Sequence, residues 1–238
     1  MNALRTAWLL LVALPVTAFY ATWAVLASWV GIRYAPHNVY DRIMIGWSRI
    51  LLAANRVRVI AEGLDHVDPD GSYVFVANHT SIVDIWALLV ALPNSFRYVA
   101  KRELSRVPVF GRAMASAGNI FIDRGNLAAS FSSYDAAAAM LSDGRSAMVF
   151  AEGTRSLDGR LLPFKKGPFV LAIRAGVPLV PVCIRGAFER TPKGVLSVRP
   201  GEVVVRVGEP IDTRGMTYED RDTLSRRARA AIEAMAAR

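Results

Sequence analysis

The sequence predicts an α/β sandwich around a central, mostly parallel sheet, preceded by a helical segment that associates with membrane. Three observations carry that expectation. From residue 57 onward, short β-rich apolar runs alternate with helix-like ones. Ahead of them stands a stretch of 27 residues without a charge, Thr6 to Ile32. The residues able to do chemistry fall where strand-like runs end, which is where open α/β sheets place their sites. A chain of 238 residues suits one globular domain with an appendage, divided as an anchor over 1–56 and a domain over 57–238 whose motifs span 73–187.

The amino-terminal stretch carries Leu9, Leu10, Leu11, Val12, Leu14, Phe19, Val25 and Leu26. It is long enough to cross a bilayer with tilt. Pro15 should kink it, and Trp8, Trp23 and Trp29 suit the interfaces. Two shorter helices dipping into one leaflet would use the same composition. A cleaved signal peptide fits less well, because only Arg5 precedes the run and the run outlasts an ordinary signal core. Arg33, Arg42 and Arg49 follow it, which places the globular part in the cytoplasm by the positive-inside rule.

Ile43 to Val57 reads as an amphipathic helix. Ile43, Trp47, Ile50 and Leu51 share one face, with Arg42, Arg49 and Arg56 in a stripe beside it. It packs on the domain or lies in the head-group layer. Strands are then expected at Val57–Ala61, Tyr73–Ala77, Arg97–Ala100, Ile120–Ile122, Ala147–Phe150, Leu179–Ile184 and Val203–Val207. Helices are expected at Ile85–Leu92, Val109–Ala117, Leu127–Leu141, Pro168–Ala175 and, as a charged amphipathic closing element, Tyr218–Ala237.

Hydrophobic residues make up 53% of the chain and its formal net charge is +9. The first figure points to the membrane, the second to anionic partners. The basic excess is local: six basic against two acidic residues from Arg97 to Arg124, and eight against two from Arg155 to Lys193. The only cysteine, Cys183, cannot form an internal disulfide and sits in an apolar strand-like run, which suits a reducing compartment. Gly-x-Ser-x-Gly, a phosphate loop ending Gly-Lys-Ser/Thr and Gly-x-Gly-x-x-Gly are all missing from the sequence. His37, His66 and His79 show no metal-ligand spacing, so no metal is expected. No basic–aromatic reader of nucleic acid is present.

One stretch organises the rest. Asn78-His79-Thr80-Ser81-Ile82-Val83-Asp84 puts a histidine and a carboxylate five residues apart at a strand-to-helix junction. A neutral imidazole takes a proton near pH 7, and a nearby carboxylate fixes its tautomer and stabilises the imidazolium. Ser81 to Asp84 equally fits a capping box, in which Asp84 only satisfies backbone N–H groups. Three further stretches set charges at the edges of apolar runs. Phe121-Ile122-Asp123-Arg124 ends in an acid–base pair. Phe150-Ala151-Glu152-Gly153-Thr154-Arg155-Ser156 turns at Gly153, and Lys165-Lys166-Gly167 opens a helix whose free N–H groups favour an anion.

Taken in order with Val177-Pro178-Leu179-Val180-Pro181-Val182, the first three of these blocks resemble the glycerolipid acyltransferases, and within them the lysophosphatidate acyltransferases. The resemblance covers roughly residues 57 to 210. It implies an α/β acyltransferase fold and transfer of an acyl chain from acyl-CoA or acyl carrier protein to the sn-2 hydroxyl of lysophosphatidate, giving phosphatidate. No cofactor beyond the thioester donor is implied. His79 would be the general base and Asp84 its orienting carboxylate. Arg124 and Arg155 would hold the acceptor phosphate, in a pocket shaped by Glu152 and Gly153, with Lys101 and Lys165 as further contacts. The implied partners are the phospholipid bilayer, lysophosphatidate and the donor, with no nucleic acid. Two rival expectations stand beside this one: a relative using another acceptor such as glycerol 3-phosphate, another lysophospholipid or a lyso-aminolipid, and a non-catalytic protein that binds anionic lipid.

Overall fold

A computed structural model describes residues 2–122, 134, 137–141 and 145–237. Seven strands form one sheet: β1 (Val57–Glu62), β2 (Val74–Ala77), β3 (Phe96–Lys101), β4 (Ile120–Ile122), β5 (Ser146–Phe150), β6 (Leu179–Arg185) and β7 (Gly201–Val207), in the order β1-β7-β6-β2-β5-β3-β4. The five strands from β6 to β4 run parallel. β7 turns antiparallel to β6, and β1 pairs parallel to β7, so the edge pair is reversed against the rest. All seven expected strands form, each within about two residues of its expected ends.

Burial on both faces explains why the central strands read as unbroken apolar runs rather than alternating ones. Along β2, Phe75 and Ala77 enter one core while Val74 and Val76 enter the other. The first core is closed by α3 (Val83–Ala91), with Trp86 and Leu88, and by α2 (Val39–Ala54), with Leu51 and Leu52. The second is closed by α5 (Gly167–Ala175), through Phe169 and Leu171, and by the closing helix α7 (Arg221–Ala236), through Leu224, Ala228 and Ile232. A short helix that the sequence did not announce, α6 (Ala187–Arg190), follows β6. Of the expected helix at Leu127–Leu141, residues 137–141 are helical and most of the remainder lies outside the described residues.

The amino-terminal run forms α1 (Asn2–Trp29), which continues as one helix through Pro15. It is long and apolar enough to cross a membrane by length and composition. One side nevertheless packs on the domain along its length. Leu9, Val12, Ala13 and Val16 join the first core, and Ala21, Ala24 and Ala27 meet Ala113 of α4 (Phe110–Ser116) and Ala117 just after it. Its other side exposes Leu4, Leu11, Leu14, Phe19, Trp23 and Trp29.

α2 starts on Asn38, whose side chain accepts the Tyr40 N–H at 3.0 Å. Of the expected inward face, Leu51 is buried and Ile43 and Trp47 are partly buried against the cores, while Ile50 is exposed and Tyr40, Asp41, Ser48 and Leu52 are buried as well. The reason is a buried ion pair. Asp41 accepts from Arg97 of β3 at 2.6 Å and from Ser95 Oγ at 2.7 Å, while Tyr34 stacks on the same guanidinium at 3.7 Å. Binding Asp41 to Arg97 rotates Ile50 outward and leaves Arg42, Arg49 and Arg56 in solvent.

Candidate active site

The site lies at the carboxyl end of β2. The chain continues from there to β3 on one side and later returns to β6 on the other, the switch point where α/β sheets open a crevice. His79 sits in the β2–α3 turn, and its Nδ1 donates to Asp84 Oδ2 at 2.8 Å. Since that oxygen accepts only, the proton sits on Nδ1 and Nε2 is left with a lone pair. Asp84 is completely buried, and the same Oδ2 also accepts the backbone N–H groups of Thr80 at 2.7 Å and Ser81 at 2.8 Å. Asp84 therefore both pairs with His79 and satisfies backbone N–H groups of the turn. The carboxylate folds the turn and orients the ring with one oxygen.

Three further residues, Phe150, Tyr98 and Asn78, brace the histidine and its turn. The His79 ring stacks on Phe150 at 3.7 Å between centroids, tilted by 11°, and Phe150 stacks in turn on Tyr98. Burial, and secondarily the Asp84 charge, pushes the Tyr98 hydroxyl well above its ordinary pKa, so it stays neutral and donates to the Ile85 carbonyl at 2.9 Å. Asn78 bridges the ends of β2 and β6, donating to Ile184 O at 2.9 Å and accepting from Ile184 N at 2.7 Å. The stacked rings and the Asn78 bridge join residues 52 to 106 positions apart in the chain, and no local pattern marks such pairs.

Glu152 is engaged with the backbone. It is buried, and its two oxygens accept the backbone N–H of His79 at 2.6 Å and of Leu162 at 2.8 Å. It fastens the β2–α3 turn to the loop after β5, and so shapes the site from beneath. Burial raises its pKa against the lowering effect of those two N–H groups. Gly153 supplies the left-handed turn expected of it, with φ at 71°. The loop then runs beside the histidine, where Ser156 N donates to His79 O at 2.8 Å.

Arg155 is thereby held one residue from that contact. It is partly exposed, and its guanidinium has no partner among the described residues. Lys193, beyond α6, reaches across to the same loop, donating to Thr154 Oγ1 at 3.0 Å and Arg155 O at 3.3 Å. Its only sequence signal was the local basic excess. Lys101 ends β3 on the same side of the sheet and pairs in solvent with Glu103 at 3.0 Å. Lys165 is exposed, with its backbone N–H on Ala151 O at 2.7 Å. Arg124 lies outside the described residues, as does Asp123. The structure thus brings His79, Asp84, Glu152, Gly153 and Arg155 together, and sets Lys101 and Lys165 at exposed positions.

Comparison with known proteins gives the family. An acyltransferase family model matches residues 58–185, from β1 to the end of β6. The human 1-acyl-sn-glycerol-3-phosphate acyltransferase alpha is 37% identical over 73% of this chain, which spans 62% of that protein's length. The 1-acyl-sn-glycerol-3-phosphate acyltransferase of Limnanthes douglasii is 31% identical over 89% of the chain and 74% of its own length. Among solved structures, the 1-acyl-sn-glycerophosphate (LPA) acyltransferase PlsC from Thermotoga maritima superposes with a TM-score of 0.80 at 26% identity. That match covers 100% of this chain and 97% of the other. The chain belongs to the acyltransferase family and groups there with the 1-acyl-sn-glycerol-3-phosphate acyltransferases.

Proposed function

We propose that this chain transfers an acyl group from a thioester donor, acyl-CoA or acyl carrier protein, to the sn-2 hydroxyl of lysophosphatidate, forming phosphatidate. The observation that carries the proposal is the His79–Asp84 pair beside the Arg155 loop. His79 Nε2 takes the proton of the acceptor hydroxyl as its oxygen attacks the thioester carbonyl. Asp84 stabilises the imidazolium that forms. The tetrahedral intermediate then collapses, the carbon–sulfur bond breaks, and the departing sulfur takes the proton back from His79. No nucleophilic side chain is needed, and burial keeps the one cysteine out of the reaction by raising the Cys183 pKa to about 11. Arg155, with Arg124 expected beside it, would grip the acceptor phosphate through charge-assisted hydrogen bonds. Lys101 and Lys165, both exposed, would supply further contacts to an anionic head group.

The membrane arrangement follows from α1. A helix of 28 residues is ~42 Å long and could span a bilayer, but its inward side is occupied by the domain from Leu9 to Ala27. Crossing would drag that domain into hydrocarbon. Lying in one leaflet with Leu11, Leu14, Phe19 and Trp23 downward satisfies both sides of the helix. The domain then faces the cytoplasm, where the donor is found. The test is acceptor choice. Detergent-solubilised protein with an acyl-CoA is offered lysophosphatidate, glycerol 3-phosphate and lysophosphatidylcholine separately, and products are identified by mass. Phosphatidate from lysophosphatidate alone is expected. Equal turnover of glycerol 3-phosphate or of the choline lipid would overturn the acceptor assignment.

A further inference from the structure

The segment after β3 is the longest unbroken run of exposed residues among those described. Every residue from Lys101 to Val109 is exposed, including Leu104 at 39%, Val107 at 43% and Val109 at 49%. Apolar residues in a row so open to water are uncommon outside interaction surfaces. The segment is nevertheless built, not loose. A 3-10 turn covers Arg102–Arg106, with Ser105 Oγ donating to Arg102 O at 2.7 Å. Gly111 N closes on Val107 O at 2.8 Å and Ala113 N on Val109 O at 2.9 Å. Gly111 packs so tightly that a Cβ there would stand 2.2 Å from Ser105 O.

At the tip, Val109 has φ 61° and ψ −56°, with Phe110 N bonded back to Pro108 O at 2.6 Å. A β-branched residue in that conformation is strained, and such strain gathers at functional positions. The bonds inside the segment hold an apolar tip out in solvent.

We infer that this lip is a second membrane contact, seated in the head-group layer of an anionic leaflet. Two features favour lipid as the occupant. The first is charge: Lys101, Arg102, Arg106 and Arg112 stand against the single acid Glu103, and the three arginines flank the apolar tip. Basic residues around apolar ones suit anionic head groups over an acyl boundary. The second is continuity. The lip leads directly into α4, which packs through Ala113, with Ala117 just beyond it, on α1, the helix read as lying in the membrane. Because β3 runs parallel to β5 and β2, the lip also leaves the sheet at the end where His79 stands. A lip seated in the leaflet would set the mouth of the site at the depth of a lysolipid's glycerol. This inference rests on the membrane reading of α1, and its test separates the two.

The test uses the full chain with Cys183, buried and unreactive, replaced by alanine. Single cysteines are placed in the lip (Leu104→Cys, Val107→Cys), on the outer side of α1 (Leu11→Cys) and at a solvent-facing position beyond β7 (Glu209→Cys). Each is labelled with an environment-sensitive fluorophore and reconstituted in equimolar phosphatidylglycerol and phosphatidylcholine carrying nitroxide-labelled lipid. Quenching of the lip labels comparable to the Leu11 label, with the Glu209 label unquenched, supports the inference. A quenched Leu11 label with lip labels still in water overturns it and leaves the α1 reading standing. Unquenched labels at both places overturn both. Lip labels that ignore vesicles but are shielded by an acidic acyl carrier protein would assign the surface to the donor, and so overturn the lipid assignment.

Activity gives a second readout. Leu104→Ser/Val107→Ser should lower turnover of vesicle-embedded lysophosphatidate about tenfold, while leaving a short-chain, water-soluble acceptor within about twofold, as loss of membrane seating requires. An equal fall with both acceptors would also overturn the inference.

Discussion

Replacing Asp84 with asparagine tests the chemistry of the pair while sparing its shape. The amide oxygen can occupy the place of Oδ2 and keep all three donors, His79 Nδ1–H, Thr80 N–H and Ser81 N–H. The new NH2 then falls where Oδ1 now has no partner. An unpaired buried donor costs ~1–3 kcal/mol, and loss of the buried carboxylate charge relieves desolvation in the opposite direction. Net stability should therefore change little.

Catalysis should not survive so well. An imidazolium about 4 Å from a carboxylate gains ~4 kcal/mol at an effective dielectric near 20. Part of that attraction returns as a neutral hydrogen bond, leaving roughly 3–4 kcal/mol, or a hundredfold to a thousandfold in rate. The assay is steady-state thiol release with lysophosphatidate saturating, beside a thermal melt. A fall in kcat of that size, with an acceptor KM unchanged within about threefold, is expected because the charge matters only after proton transfer. A folded Asp84→Asn protein retaining kcat within about fivefold would refute the electrostatic role given to Asp84.

Three other perturbations follow from the same geometry. Arg155→Ala should lose a charge-assisted contact worth ~1.5–3 kcal/mol, lowering kcat/KM for lysophosphatidate by roughly ten- to 150-fold; an unchanged acceptor dependence would remove Arg155 from the phosphate site. Arg97→Met strands the buried Asp41 carboxylate, which should cost ~3–5 kcal/mol and be largely restored by Asp41→Leu in the same chain; a melt unmoved by the single change would contradict the account of α2 docking. Glu152 concerns pH. Its folded-state pKa is raised by burial, so its contribution to stability is present below the ordinary carboxyl value and is lost as pH rises through the raised one. The stability of wild type relative to Glu152→Gln should accordingly fall as pH rises from about 4 into the weakly acidic range, and a difference that grows over that range in chemical denaturation would contradict the burial argument.

What could be read in the chain beforehand divides along the range of the interactions. The strands were visible because each is a short β-rich run between turn signals, and burial on both sheet faces makes those runs continuous. His79 and Asp84 were visible because five residues across one strand-to-helix turn suffice to bring their side chains together. The contacts of Glu152 were not legible: it stands 73 residues from the His79 N–H it accepts, in the loop after β5, a strand whose pairing with β2 the sequence does not spell out. Phe150, Asn78 and Lys193 escaped for the same reason, since each acts through a partner brought close only by sheet order or by the loop after β6. The outward turn of Ile50 was not legible because Asp41, ahead of the expected helix, is buried by partners far along the chain, Ser95 and Arg97, 54 and 56 residues away.

The most direct test of the central claim is thiol release from an acyl-CoA by wild-type and His79→Ala protein, with phosphatidate measured in parallel. If His79 Nε2 takes the acceptor proton, wild type releases thiol in step with phosphatidate. The variant should then lose both by at least about a hundredfold, while still melting cooperatively and binding vesicles. A His79→Ala protein that folds, binds and makes phosphatidate at the wild-type rate would contradict the account at its centre.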